Sequence, residues 1–427
     1  MTSNWEKYRL GDLISIKGGL SYKGEFLGKG DGLLLGMGCV SFTERFLTTG
    51  ARQYGGPCAD THLVSPGDLV LATRQQSDNM PILGFPAMIP ESYQGKKVIV
   101  ATNLYKITNN STLSNRFLYW LLKSPAYQQH IVSCSKGTTV RMITKDAVES
   151  FEFNCPTQRE RDQITETLDS LDKKIEVNKS LNQTLEEMAQ AIFKSWFVDF
   201  DPVKAKMNGE QPEGMDEATA ALFPEKLVES ELGLIPDGWE LTNIGKVSEC
   251  FDKKRIPLSK RQREQKQGSI PYYGATSVMD YVDEAIFDDI YLLIGEDGSV
   301  MKDDGTPFIQ YIWGPAWVNN HAHVLQGIKS VSTEQLMLFF QQTNINAYVT
   351  GAVQLKINQR NMNSIPFIKA PKEINERFYD VVAPLYAKIR AIKEENEQLA
   401  KLRDTLLPKL LSGEIELGQA QELAEVE

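Results

Sequence analysis

The sequence predicts an α+β protein with two mixed α/β domains, each followed by one long helix. The two helices are expected to pair within the chain as an antiparallel coiled coil of pseudo-twofold symmetry. Three observations lead to this prediction. The chain has 427 residues, too many for one ordinary hydrophobic core. Its second half repeats the apolar pattern of its first half. Two stretches of about 40 residues carry the apolar spacing of a coiled-coil seam.

The composition is that of a globular protein, with 41% hydrophobic and 24% charged residues. No apolar run approaches the roughly 20 residues that a membrane span needs, and the N-terminus lacks the apolar core of a signal peptide. The five cysteines are odd in number and none are spaced as CxxC, which argues against a disulfide framework or a structural zinc site. We therefore expect a cytoplasmic protein that does not contact a membrane.

The net charge of -10 is unevenly distributed. Residues 208–231 carry seven acids and one lysine, and residues 413–427 carry five glutamates and no base. Against a nearly neutral remainder, KKRIPLSKRQREQK (253–266) has seven bases and one acid. This segment fits a solvated surface loop and a DNA-facing loop equally well.

An internal repeat organises the chain. GTTVRMITKDAVESFEF (137–153) aligns with GAVQLKINQRNMNSIPF (351–367), so that Ile143 meets Ile357 at an offset of 214. The same register continues along both helical stretches. The order of elements is therefore domain, helix, domain, helix.

The first domain comes before its helix and an acidic segment, and the second domain before its own helix and an acidic tail. Thr157 begins the first helix with a capping box, and Pro371 stands beside the start of the second. Pro202 is expected to end the first helix, and Pro408 with Gly413 the second. The predicted boundaries are 1–156 for domain 1, 157–202 for the first helix, 203–235 for an acidic linker, 236–370 for domain 2, 371–413 for the second helix and 414–427 for the tail.

Within the domains, short apolar runs separated by Gly and Pro predict strands. Two longer runs, NRFLYWLLKSPAYQQHIV and TEQLMLFFQQTNINAYV, each predict one buried helix. Asn182 and Asn396 occupy matching places on or beside the seam. They fit buried positions that set the register of the helices and solvated flanks equally well.

Motifs of catalysis are absent from the sequence. There is no GxxxxGK[ST] phosphate loop, no GxSxG elbow and no HExxH. Only four histidines occur, and the pair His321 and His323 is a weak indication of metal binding. We predict no catalytic, cofactor-binding or metal-binding residue.

LEEMAQAIFKSWFVDFDP (185–202) and LRDTLLPKLLSGEI (402–415) resemble the conserved regions of the specificity (S) subunits of type I restriction-modification systems. The resemblance implies that each domain is a target recognition domain reading one half of a bipartite, asymmetric DNA site. It also implies a non-catalytic subunit that docks two methyltransferase subunits, which hold the S-adenosylmethionine, and through them a restriction and translocase subunit. A non-DNA-binding cytoplasmic coiled-coil scaffold is the alternative, and an enzyme with an unrecognised site is a third possibility.

Candidate site residues follow from this interpretation. The predicted DNA contacts are Arg74, Gln75, Gln76, Thr138, Thr139, Arg141, Lys253, Lys254, Arg255, Lys260, Arg261, Arg263, Gln354 and Lys356. The aromatic residues at the end of the first helix are expected either to fill the junction with a domain or to stay exposed until a methyltransferase subunit covers them. These residues are Phe193, Trp196, Phe197 and Phe200.

Overall fold

The chain folds into two compact units. The computed structural model describes residues 5–75, 82–137, 140–351 and 353–415. Unit 1 contains Met1–Asn178 and Glu394–Glu427, and unit 2 contains Lys179–Lys393. Most of the predicted acidic tail, residues 416–427, lies outside the described residues. Each unit contains one domain and a part of each long helix.

Unit 1 is built on short, largely antiparallel strands. They are β1 (Glu6–Arg9), β2 (Ile14–Gly18), β3 (Leu27–Leu35), β4 (Ala51–Tyr54), β5 (Leu63–Val64), β6 (Leu69–Ala72), β7 (Arg74–Gln75), β8 (Pro86–Met88), β9 (Val98–Val100), β10 (Leu104–Asn109), β11 (Arg141–Met142) and β12 (Glu152–Cys155). Two four-stranded sheets have the orders β2-β10-β6-β8 and β4-β3-β9-β5, and β1-β12 and β11-β7 form two-stranded ladders. All residues of β6 and β9 are buried. Their continuous apolar runs are explained by this burial.

Unit 2 repeats this plan. Its strands are β13 (Leu227–Ser230), β14 (Gly233–Pro236), β15 (Glu240–Asn243), β16 (Ser248–Cys250), β17 (Gln267–Tyr273), β18 (Val278–Val282), β19 (Phe287–Asp288), β20 (Tyr291–Gly295), β21 (Ile309–Ile312), β22 (Pro315–Val318), β23 (Ala322–Gly327) and β24 (Pro366–Lys369). Two four-stranded sheets have the orders β16-β23-β20-β21 and β18-β17-β22-β19. In both units one sheet contains a single parallel pair, β3 with β9 and β17 with β22. The predicted α+β class is confirmed.

The α-helices of the described residues range from one turn to more than ten. They are α1 (Asn115–Lys123), α2 (Pro125–Cys134), α3 (Lys145–Glu149), α4 (Gln158–Phe197), α5 (Asp201–Met207), α6 (Glu217–Ala221), α7 (Ile244–Val247), α8 (Lys260–Glu264), α9 (Thr333–Gln342), α10 (Gln359–Asn363) and α11 (Lys372–Ser412). Within these ranges no helix is both long enough and apolar enough to cross a membrane.

The two predicted domain helices are shorter than expected. Ser124 interrupts the first, because its hydroxyl caps α2 by accepting from the Tyr127 amide, and Pro125 follows at the first helical position. The second, α9, ends at Gln342, and a separate 3₁₀ turn spans Asn346–Tyr348. The predictions of one helix over each run are therefore wrong at these breaks.

The long helices α4 and α11 pair antiparallel in each unit. In unit 1, Asp172 contacts Arg403 at 2.7 Å, and further along α4 Asn178 donates to Asn396 at 2.9 Å. The α4 residue numbers rise from 172 to 178, while those of the α11 residues that they contact fall from 403 to 396. The two helices therefore run antiparallel. The predicted intramolecular antiparallel coiled coil is confirmed.

The same direction holds in unit 2. The Asn182 side chain donates to the Ile389 carbonyl at 3.4 Å, and the rings of Phe197 and Phe378 lie 4.8 Å apart. Asn182 is only 7% exposed. The buried alternative is therefore correct for this residue, and Asn396 is half-buried.

The ends of the long helices follow their local chemistry except at Pro202 and Pro408. Thr157 and Glu160 form the predicted capping box, and Gly413, at φ 72°, follows the last residue of α11. The prediction that Pro408 ends α11 is wrong, since the helix continues to Ser412. Proline removes one backbone hydrogen bond from a helix. Packing of the buried Leu407 and Leu410 on either side of Pro408 offsets that loss.

The segment 203–235 is folded, which corrects the prediction of an acidic linker. It contains α6, β13 and most of β14. Val203, Ala220, Phe223 and Ile235 are each at most 5% exposed. Val203 and Phe223 belong to the core of unit 2, and Ala220 and Ile235 are also buried, while the acidic residues between them face solvent. The net charge of the segment therefore did not reveal its burial. The first helix also ends earlier than predicted, at Phe197, and Pro202 lies in the first turn of α5.

Candidate nucleic-acid interface

A small ladder in unit 1 brings together predicted DNA contacts that are distant in sequence. β7 and β11 pair with Arg141 opposite Gln75 and Met142 opposite Arg74. Arg141 is exposed and Arg74 is half-buried. The Gln75 side chain and the residues Gln76, Thr138 and Thr139 lie outside the described residues. The ladder therefore presents two cations from one surface element.

A glycine loop precedes β11 and recurs in unit 2. Lys136 bridges to Met142 in unit 1, and Thr350 bridges to Lys356 in unit 2. Gly137 and Gly351 open these loops at φ 104° and 94°. A Cβ added at either position would lie 2.3 Å or 2.1 Å from a backbone oxygen of the loop, so only glycine fits.

The loop of unit 2 carries the predicted contacts Gln354 and Lys356. Gln354 is exposed, and the neighbouring Val353 is completely exposed. The Lys356 ammonium lies 3.3 Å from Glu296. The backbone of Lys356 forms an antiparallel bridge with Asp297, in the way that β11 pairs with β7 in unit 1. The two units thus present equivalent loops with different side chains.

The basic segment 253–266 presents four exposed cations. Lys253 and Lys254 lie in a 3₁₀ turn, and Lys260 and Arg261 lie in α8. Ser259 begins α8 with a capping box. No ion pair joins these four cations to another residue in the described part of the chain. They are accessible to an anionic partner.

Two of the predicted DNA contacts, Arg255 and Arg263, already form ion pairs within unit 2. The Arg255 guanidinium is 11% exposed and lies 2.8 Å from Glu296 and 3.2 Å from Asp252. The Arg263 guanidinium is 14% exposed and lies 2.8 Å from Asp280. Both side chains stabilise the basic segment, and phosphate binding would require these ion pairs to break.

A buried hydrogen-bond network surrounds His323. Its Nδ1 lies 2.5 Å from the Asp252 carboxylate and its Nε2 lies 2.9 Å from the Ile357 carbonyl. Burial opposes ionisation of Asp252, but the hydrogen bond and charge of His323, with the charge of Arg255, lower the pKa of this carboxyl overall. The network ties β23 to the glycine loop of unit 2.

The same network is the best metal candidate among the described residues. Ligand atoms of Cys250, Asp252 and His323 lie within 4.8 Å of one another. Both nitrogens of His323 are used in hydrogen bonds, and Arg255 places a positive charge beside Asp252. Burial raises the pKa of Cys250 to about 12, so its thiol is protonated. His321 does not join this group and lies instead 2.5 Å from Asp297. The geometry fits a hydrogen-bond network, not a metal centre.

The aromatic residues at the end of α4 lie in the core of unit 2. Phe193, Trp196, Phe197 and Phe200 are 3% to 7% exposed. They pack with Phe223, Trp239 and Phe378. The expectation that some of them stay exposed for a partner is therefore wrong, and they fill the junction between helix and domain.

A shallow groove lies over this junction. It has a volume of about 350 Å³ and is lined by Phe197, Val198, Leu232, Leu234 and Phe367 among others. Val198, Leu232 and Leu234 are 47%, 50% and 57% exposed. The sequence analysis missed these residues because it treated the segment that contains Leu232 and Leu234 as a linker.

Unit 1 has an equivalent groove of about 620 Å³ at the end of α11. Leu411 and Phe153 line it at the positions that correspond to Phe197 and Phe367 through the offset of 214. Each unit therefore carries an apolar groove where a long helix ends.

A charged cluster attaches α4 to the domain of unit 1. Asp169 contacts Arg45 and Arg116 and accepts from the Trp120 indole at 2.8 Å. Asp172 contacts Arg45 at 3.1 Å as well as Arg403. Helical spacing alone did not indicate these pairings, because the partner cations come from distant segments.

Comparison with known proteins decides the family. A sequence model described as "Type I restriction modification DNA specificity domain" matches residues 2–187 and 236–401, more than half of the chain. The chain belongs to this family of specificity subunits. The predicted resemblance is confirmed.

Individual relatives agree with the assignment. The HindI specificity subunit of Haemophilus influenzae is 28% identical over 374 residues, covering 74% of this chain and 81% of the relative. The MjaIX specificity subunit of Methanocaldococcus jannaschii is 23% identical over 327 residues, covering 71% of this chain and 70% of the relative. The crystal structure of an S subunit from M. genitalium aligns with a TM-score of 0.50 at 17% identity, covering 96% of each chain. This structural likeness shows the fold.

The family matches coincide with the internal repeat of this specificity subunit. The first match ends at residue 187 within α4, and the second ends at residue 401 within α11. Each match therefore contains one domain and most of the helix that follows it. The repeat detected from the offset of 214 is the repeat of the family domain.

Proposed function

We propose that this specificity subunit binds double-stranded DNA and that each domain reads one half of a bipartite, asymmetric site. The observation that carries the proposal is the glycine loop, which recurs in both units with equivalent backbone pairing and different side chains. An equivalent backbone would place each loop similarly on its half-site. Different side chains would read different bases, because base edges are distinguished by the donors and acceptors that reach them.

The distribution of charge supports DNA binding despite the net charge of -10. Lys253, Lys254, Lys260 and Arg261 are exposed and close together in sequence. Phosphate contacts supply affinity without sequence choice, and two half-sites read by one chain multiply their selectivity. In this proposal the basic segment positions unit 2 on the backbone, while Gln354 contacts bases.

The proposal assigns the chemistry to partner subunits. The specificity subunit is non-catalytic and acts in the cytoplasm, and two methyltransferase subunits contribute S-adenosylmethionine and transfer the methyl group. A restriction and translocase subunit joins through them. The two equivalent apolar grooves, one at the end of each long helix, support docking of one methyltransferase subunit per unit.

A docking experiment tests the groove. Changing Leu232 and Leu234 to Glu places charges on two exposed apolar positions, so we expect weaker binding of the methyltransferase subunit to a protein that remains folded. Changing exposed Val177 and Met279 to Glu is the matched control. Unchanged binding of the Leu232 and Leu234 variant would place the docking surface elsewhere.

The DNA-binding experiment uses the chain with its methyltransferase subunit. Sequencing of methylated adenines after exposure of DNA to the complex should show two short conserved half-sites at a constant spacing. On a duplex that contains the site, changing Lys253, Lys254, Lys260 and Arg261 to Ala should weaken binding. Each lost phosphate contact should reduce the slope of log affinity against log salt by about 1.

The matched control changes Lys204 and Lys246, which are exposed lysines of unit 2 outside the basic segment. Their replacement by Ala should leave the slope nearly unchanged. A complex whose DNA affinity ignored both salt and sequence would favour the scaffold alternative. An unchanged slope in the basic-segment variant would remove that segment from the interface.

A further inference from the structure

An apolar pocket of about 560 Å³ opens beside α2 in unit 1. Leu83, Phe85 and Leu407 line it and are each at most 5% exposed. Phe42 and Val132 also line it and are each 52% exposed. Small-molecule sites in proteins typically have volumes of about 300 to 1,000 Å³ and mostly apolar walls. The pocket has the size and lining of such a site.

One cation, Lys123, lines this pocket at the end of α1. The residue is 9% exposed, and its ammonium lies 3.4 Å from the Tyr119 hydroxyl and over the rings of Tyr119 and Trp120. Within the described ranges, no carboxylate lies within salt-bridge distance of its Nζ. A buried ammonium without an anionic partner is costly, and a bound anion would relieve that cost.

The charges around Lys123 come from three elements. Asp172 of α4 and Asp404 of α11 favour its protonated form, while Arg403 of α11 and Arg45 from the loop before β4 oppose it. Burial is the largest influence and lowers the pKa of Lys123 to about 8. Asp404 also lines the pocket and is held by Arg403 at 2.8 Å. Its negative charge disfavours ligands that carry more than one anionic group.

Unit 2 satisfies the equivalent positions internally. Ser114 and Ser332 cap α1 and α9, and alignment of these caps places Gln341 where unit 1 has Lys123. The offset of 214 places Gln190 where unit 1 has Asp404. The Gln190 side chain donates to Gln341 at 3.2 Å. The polar groups of unit 2 therefore bond to each other, whereas Lys123 lines the pocket of unit 1 and forms no ion pair with a carboxylate of the described residues.

We propose that the pocket of unit 1 binds a small amphipathic anion, with an apolar body against Leu83, Phe85 and Leu407 and a single carboxylate on Lys123. The apolar walls contribute affinity through burial of hydrocarbon. The ammonium contributes a charge-assisted hydrogen bond in a poorly solvated place, where such bonds are strong. The proposed ligand site is separate from the proposed DNA contacts, since none of its lining residues belongs to them.

The test uses octanoate and 1-octanol, which share a chain length and differ in charge, titrated into the full-length protein by calorimetry at pH 7. Octanoate should bind one site and about tenfold more tightly than octanol, as expected for a hydrogen bond to a charged group. In Lys123→Met, octanol should bind as before and the preference for octanoate should disappear. In the unchanged protein this preference should also decline above about pH 8, as Lys123 loses its proton.

A second variant locates the site independently of charge. Val132→Trp fills the mouth of the pocket from an exposed position, so both ligands should lose most of their affinity. Val177→Trp is the matched control, because Val177 is 54% exposed in unit 1 and does not line the pocket. Circular dichroism of each variant should match that of the unchanged protein.

Three results would overturn the proposal. Equal affinity of the unchanged protein for octanoate and octanol would remove the role of Lys123. Binding that survives Val132→Trp would place the ligand elsewhere. Failure of both ligands to bind, with Lys123 instead protected from acetylation by a methyltransferase subunit, would make the pocket a protein-docking surface.

Discussion

Replacing Arg403 with Met should break the buried ion pair that joins α11 to α4 in unit 1. Arg403 lies 2.7 Å from Asp172, and the two side chains are 4% and 8% exposed. Removing one partner of a buried pair typically costs about 3 to 5 kcal/mol, because the remaining charge is left without compensation. Asp172 keeps its contact with Arg45 at 3.1 Å. We therefore expect a loss near the lower limit, about 3 kcal/mol in the free energy of unfolding.

A double-mutant cycle with Asp172→Leu isolates the interaction. Each single change leaves a buried charge with fewer partners, whereas the double change leaves apolar side chains in both places. The loss of unfolding free energy in the double variant should be smaller than the sum of the two single-variant losses by at least about 2 kcal/mol. Urea unfolding followed by circular dichroism measures the losses, and hydrogen exchange in segments 164–178 and 398–410 should show that they arise in unit 1.

Lys174→Met is the matched control for the cycle. Lys174 joins the same two helices through Glu395 at 3.3 Å, but these side chains are 50% and 41% exposed. Solvent screens such a pair, so its loss should cost less than about 1 kcal/mol. If Arg403→Met cost no more than Lys174→Met, the argument that the buried pair anchors the helices would be refuted.

Two further predictions concern unit 2. Gly351→Ala should destabilise the protein by about 1 to 3 kcal/mol and weaken DNA binding, because φ is 94° and the new Cβ would lie 2.1 Å from the Gln354 oxygen. Urea unfolding measures the stability and DNA titration measures the affinity. Unchanged stability and affinity would contradict the role given to this glycine. The folded-state pKa of Asp252 is lowered, so its contribution to stability is complete above the unfolded pKa of about 4 and is lost as the pH falls through the folded value. The free energy of unfolding should therefore fall between about pH 6 and pH 3, and it should fall less in Asp252→Asn than in the unchanged protein. Equal losses in the two proteins would refute this prediction.

The coiled coil could be predicted from the sequence because its burial depends on residue spacing. Leu168 and Leu406 are 0% and 2% exposed, in agreement with the predicted seam. The capping box of Thr157 was equally predictable, because its partners are three residues apart. Pro408 shows the limit of such local rules, since tertiary packing outweighed the lost hydrogen bond.

The candidate site was only partly predictable, because residues distant in sequence decide whether a side chain is free to bind DNA. Arg255 and Lys253 look alike in the sequence, yet Arg255 is bound by Glu296, more than forty residues away, whereas Lys253 is exposed. The same limit applies to Trp196, whose aromatic neighbours Phe223 and Phe378 come from other segments. A count of cations or aromatic residues cannot distinguish a surface from an internal contact.

The two units attach equivalent helices to their domains with different chemistry. At the offset of 214, Asp172 corresponds to Tyr386, and Arg403 corresponds to Ala189. Tyr386 is 2% exposed and packs on Tyr311 with ring centroids 5.4 Å apart, where unit 1 has ion pairs.

The two halves of the chain therefore share the apolar spacing of the seam. The helix residues that contact the domain differ between the two units. Placing the Asp172 segment of α4 against the domain of unit 2 would bury a carboxylate where the chain provides an aromatic ring, at a cost of several kcal/mol. We therefore expect a domain to be exchangeable only together with the helix segments that contact it. This requirement couples the part of the chain proposed to read DNA to the part that holds it in place.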